Sequence, residues 1–177
     1  MVENHNIFNF PISHRPSWIF FFWSSSSKGP SSLKWKKETS QAPWSGRDAH
    51  FMVVFKDKIW LMGGLEGGKV KAGSPNYEEM SHKSDIWVSE NGKDWQSVKE
   101  KAPWGKRRSA GLVVFQDKIW LMEGWEADFG ETKNDIWVSE DGINWKLVTS
   151  NPPWPARHGH VALEYKDNLW IKRKKES

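Results

Sequence analysis

Repeated four-stranded antiparallel sheets, with no helix of any length, are the fold this sequence predicts. Three features predict it. Eleven of the fourteen tryptophans among 177 residues fall at repeated intervals. The segments between them are short, apolar and bounded by Gly, Pro, Asn and Asp, as strands and turns are. No stretch sustains a 3.6-residue apolar period long enough for an amphipathic helix.

The intervals define a repeat. Trp44 to Trp60, Trp104 to Trp120 and Trp154 to Trp170 are each 16 apart. Trp87 to Trp95 and Trp137 to Trp145 are each 8 apart, and Trp35 to Trp44, Trp95 to Trp104 and Trp145 to Trp154 are each 9 apart. One interval varies: Trp60 to Trp87 is 27, whereas Trp120 to Trp137 is 17. All the length difference therefore sits in one loop. The units are 44–98, 104–148 and a partial 154–171, within a repeat region of 33–171. Residues 1–32 are divergent, and 172–177 form a basic tail.

Four strands follow in each unit. The first is Phe51–Phe55, Leu112–Phe115 and Val161–Tyr165. It is apolar nearly throughout, so both faces should be covered. The turns Lys56-Asp57-Lys58, Gln116-Asp117-Lys118 and Lys166-Asp167-Asn168 lead to the second strand, at 59–62, 119–122 and 169–171. The third is Asp85–Ser89 and Asp135–Ser139. Asn91-Gly92 and Asp141-Gly142 then tolerate the positive φ of a tight hairpin. The fourth strand is Trp95–Val98, Trp145–Val148 and Leu33–Glu38, mixing Trp with polar residues as a strand with one wet face should. Such a unit is a propeller blade. Trp60, Trp87, Trp120, Trp137 and Trp170 should pack between blades, as bulky indoles do.

Composition narrows the functional classes. The tail carries net charge +3 and residues 1–32 carry +1, so the 139 residues between them are neutral. A nucleic-acid surface needs clustered Lys and Arg on the folded body, which is absent here. There is no cysteine, hence no disulfide or thiolate metal site. Trp18–Trp23 is too short to span a bilayer and lacks the flank of a secretory signal. The compartment stays open.

Arg47 before the first strand, Gly63-Gly64 after the second, Asp85-Ile86-Trp87 opening the third and Trp95 in the fourth resemble the Kelch family. The closer resemblance is to the Kelch-like propellers grouped with the central domain of galactose oxidase. It covers about Leu33 to Ile171 and departs at Glu123-Gly124, where paired glycines belong. The turns 89–95 and 139–145 also resemble the Asp-box of sialidase-type propellers, each one residue short. In those families the Asp-box is a structural turn.

Two units and partial ends leave the array open, which exposes apolar blade faces. Either blades are missing, or Ile19–Trp23 and Leu33–Glu38 complete 161–171 and two chains build a six-bladed homodimeric ring.

Candidate chemistry gathers on one face. Arg47, Arg107 and Arg157 each follow a repeated Trp by three residues, near the loops Leu65–Ser84 and Trp125–Asn134. Insertions gathered on one face mark the binding face of a repeat protein. Forked guanidinium groups there would bind an anion. Alternatively each stacks on its Trp and bonds loop carbonyls. His50 and His160 are equivalent positions, better suited to backbone hydrogen bonds than to a metal. Glu66, Tyr77, Glu78, Glu79 and His82 lie in the long loop, Glu123 replaces a glycine, and Trp125 is placed to stack on a sugar. No Ser–His–Asp spacing or phosphate loop occurs. The radical-copper site of the galactose-oxidase type needs Tyr joined to Cys, which this chain cannot supply. The expectation is a noncatalytic module without cofactor or metal, binding a protein or a glycan. The alternative is a carbohydrate-active propeller of the sialidase or galactose-oxidase kind.

Overall fold

A computed structural model describes residues 36–66, 81–126 and 130–172. These hold sixteen strands and no helix. The first blade is β2 (Phe51–Phe55), β3 (Lys58–Met62), β6 (Ile86–Ser89) and β7 (Gln96–Lys99), antiparallel in that order. The second blade is β9 (Gly111–Phe115), β10 (Lys118–Met122), β13 (Ile136–Ser139) and β14 (Trp145–Thr149). Only β15 (Val161–Tyr165) and β16 (Asn168–Lys172) represent the third. Two small sheets lie beside the full blades. One joins β1 (Arg47–Asp48), β4 (Leu65–Glu66) and β5 (Ser81–His82); the other joins β8 (Arg107–Arg108), β11 (Trp125–Glu126) and β12 (Glu131–Thr132).

Register repeats with the sequence. Met62 pairs with Ile86 and Met122 with Ile136, and each third strand shifts register at the next step, between Ile86 and Trp87 and between Ile136 and Trp137. All three first hairpins turn on two residues of positive φ: Lys56-Asp57, Gln116-Asp117 and Lys166-Asp167. That geometry matches the twist of the flanking strands. Across each hairpin an indole donates to a carbonyl, Trp60 to Phe55 and Trp120 to Phe115.

The core is the seam between blades. Phe51, Phe55, Trp60, Met62 and Ile86 of the first blade meet Trp104, Ile119, Leu121 and Trp145. Burying each such side chain contributes roughly 1.5–3 kcal/mol. Gly142 seals this seam. Its φ is +80°, and a Cβ there would lie 2.6 Å from the Trp60 ring. Only glycine admits both the turn and that contact. The second seam is smaller: Val113, Phe115, Met122 and Ile136 meet Trp154 and Leu169.

The predicted strands are present to within two residues in all three units, with one exception. Residues 36–38 of the expected leading fourth strand are not in a strand, and 33–35, like Ile19–Trp23, lie outside the described residues. The indoles also differ from expectation. Trp60 is buried, but Trp87, Trp120, Trp137 and Trp170 are half-buried. The deepest is Trp104, 2% exposed. Trp60 lies under Gly142 of the following hairpin, whereas the third unit has no such hairpin among the described residues to cover Trp120.

Candidate functional site

β1 and β8 begin with the repeated arginines, and each pairs with the stem of a variable loop. Arg47 and Arg107 therefore do reach the loop face, but their guanidinium groups turn inward. Arg107 forks onto Asp135, with Nη1 to Oδ1 at 2.7 Å and Nη2 to Oδ2 at 2.9 Å. It also donates to the carbonyls of Glu123 and Trp104 and lies over the Trp104 ring. Arg47 grips Asp85 in the same way, at 2.6 and 3.0 Å. Each aspartate accepts a further bond from an indole N–H, Trp87 to Asp85 and Trp137 to Asp135. Paired in this way, Arg47 and Arg107 hold the second-to-third-strand connection against the entry to the blade. Stacking and carbonyl bonding were readable from sequence; the aspartates were not. The Arg–Asp separation is 38 residues in one blade and 28 in the other, so the loop-length difference hides the pairing.

Arg157 has no equivalent aspartate partner among the described residues. Its Nε is 3.6 Å from Oε2 of Glu123. Glu123 is fully buried and adopts φ +56°, the left-handed conformation of Gly63, which costs a non-glycine residue about 1 kcal/mol. One neighbour makes room for it. At Gly63 a Cβ would meet the Phe51 ring at 2.5 Å, whereas glycine replaces that Phe at position 111. Gly111 in turn lies 2.4 Å, measured from an added Cβ, from Nε2 of His160. Glu123 Oε1 accepts the Trp154 indole N–H at 2.8 Å, and Oε2 stands 3.6 Å from His160 Nε2. Neither ring nitrogen of the buried His160 has a hydrogen-bond partner among the described residues, so the expected backbone bond is not made. His50, its equivalent, is exposed.

Burial pushes the Glu123 carboxyl up to about 7, against the pull of Trp154 and Arg157. Burial, then Arg157, lowers His160 to about 4. A raised carboxyl favours the folded state while it is protonated, below the unfolded value of 4.5. That stability is lost as pH climbs toward 7. His160, kept neutral, is lost in the opposite sense as pH falls from 6.5 toward 4. Glu123→Gln keeps the acceptor for Trp154 and removes the ionisation. It should stabilise the protein at pH 8 by up to about 3 kcal/mol and by less than about 1 kcal/mol at pH 5. Urea unfolding at both pH values reads this, and an equal change at both would show that Glu123 does not titrate in that window.

Trp125 opens β11 and is half-buried, its ring edge-to-face with His158 at 5.3 Å. His158 is also 3.0 Å from the Thr132 hydroxyl. Glu66 with Lys83 and Glu126 with Lys133 form equivalent ion pairs in the two small sheets. His82 is buried on β5. Tyr77, Glu78 and Glu79 lie outside the described residues. No group of three metal-ligating side chains occurs among the described residues. Nor do they contain a helix long and apolar enough to cross a membrane.

The Asp-box-like turns are filled by their own backbone. Ser139 Oγ accepts from Gly142, and Asp141 Oδ1 from Ile143 and Asn144. Burial alone would raise Asp141, but the Asn144 backbone and side chain, Ile143 and Ser139 together hold it at about 2. Asn91 accepts the same two backbone bonds in the first blade. An apolar groove of about 220 Å³ lies in the second seam, between Trp120, Val148, Pro152, Trp154 and Leu169. In the first seam Ile143 and Trp145 belong to the core.

No protein-family model and no curated protein matches the chain. Among solved structures it is similar to the structure of YjhT, with a TM-score of 0.63, 19% identity and 80% of this chain aligned. The chain spans 47% of that protein's length. At that identity the likeness carries the fold: an all-β array of small antiparallel sheets.

Proposed function

We propose that this chain is a noncatalytic Kelch-like propeller module that binds a protein through its loop face. The observation that carries this reading is the pair of equivalent small sheets, β1-β4-β5 and β8-β11-β12. Their second and third strands are joined by segments of unequal length, 67–80 against 127–130, on otherwise matching blades. Conserving the stem while varying the tip is how a scaffold changes its ligand. The paired arginines and self-satisfied Asp-box turns support an architectural role for groups that would otherwise suggest catalysis.

Replacing residues 67–80 with the short segment 127–130 tests it. The variant should keep its thermal midpoint and lose the peptides that the parent captures from an immobilised array. Retained capture, or turnover of aryl sialosides or galactose by the parent, would overturn the reading. A glycan ligand is the second reading, favoured by the Trp125–His158 ring pair beside Thr132. On that reading an oligosaccharide array gives the hits, and Trp125→Ala removes them.

A further inference from the structure

Strand alternation decides what each first strand offers its neighbours. On β2, Phe51, Val53 and Phe55 join the first seam, which also receives Leu112 and Val114 from β9. On β9, Val113 and Phe115 join the second seam, which also receives Ala162 from β15. One side of each strand thus faces the blade behind and the other the blade ahead. At the two ends this leaves faces without a neighbour among the described residues. Met52 and Val54, equivalent to Leu112 and Val114, are 46% and 67% exposed. Val161, Leu163 and Tyr165, equivalent to Phe51, Val53 and Phe55, are 57%, 42% and 52% exposed.

These two faces are the two halves of a seam the chain already makes internally. We propose that two copies of this chain dock head to tail, the β15 face of each covering the β2 face of the other. The seam would repeat the β2–β9 packing, so the occupant is specified by the chain's own repeat. Two such contacts related by a twofold axis close a ring, whereas a head-to-tail contact that does not close grows into a filament. The described residues hold two full blades and half of a third, about five per pair, within the four to eight of closed propellers. The inference is independent of the ligand on the loop face.

Sedimentation equilibrium on the full chain tests it with Val54→Lys and Leu163→Glu. Both positions are solvent-exposed, so the fold should survive, checked by tryptophan emission. The parent should weigh twice the 20.6 kDa chain, and each variant alone should weigh once. Mixing the two variants should restore the double mass. One seam of the mixed pair is then unaltered, and the other sets lysine against glutamate. Damage to folding would not be rescued by mixing. A monomeric parent, an open-ended polymer, or a dimer indifferent to both substitutions would overturn the proposal.

Discussion

Asp135→Ala is expected to destabilise the protein by about 3–5 kcal/mol, because it strands a buried charge. The Arg107 side chain is 1% exposed and Asp135 12%. Without the carboxylate, the guanidinium keeps only the carbonyls of Trp104 and Glu123, and neither neutralises it. The Trp137 indole N–H loses its acceptor as well. Denaturant melts should show a lower midpoint with unchanged slope, as a pure stability change does. Asp135→Asn retains an acceptor in place and should cost less. If alanine costs under about 1 kcal/mol, surface pairs being of that order, the Arg107–Asp135 pair is not a buried one in solution.

Trp104→Ala should cost a similar amount, about 3–5 kcal/mol, for a different reason: the cavity left by a large apolar side chain. Trp104 fills the first seam edge-on to Phe51 and Trp145, with ring centroids 5.7 and 6.3 Å away. Arg107 lies over the same ring, so the two substitutions share a neighbour. Their double variant should therefore be non-additive, with a coupling of about 0.5–3 kcal/mol. Strict additivity would show that the packing of Trp104 does not depend on Arg107. Trp137→Ala, at a half-buried indole, should cost less than Trp104→Ala.

The blades were legible because their signals are local. Apolar runs, two-residue turns and the Gly92 and Gly142 hairpins each act within a few residues, and the repeat states them more than once. Arg47 and Arg107 were recognisable as a repeated pair but not as ion-paired, since their aspartates lie across loops of different length. His160 gave no sign that it would face a carboxylate instead of a backbone group. That contact comes from three separate segments: Gly111 leaves the space, Glu123 enters from the second blade, and His160 from the third.

Alone, the sequence determined an all-β array and the order of its strands. Those follow from spacing, strand alternation and turn chemistry, which need no distant partner. The tertiary structure decided which charges are neutralised, which indoles are covered and which apolar faces remain open. Burial is a property of two surfaces meeting, and each seam is built from residues tens of positions apart.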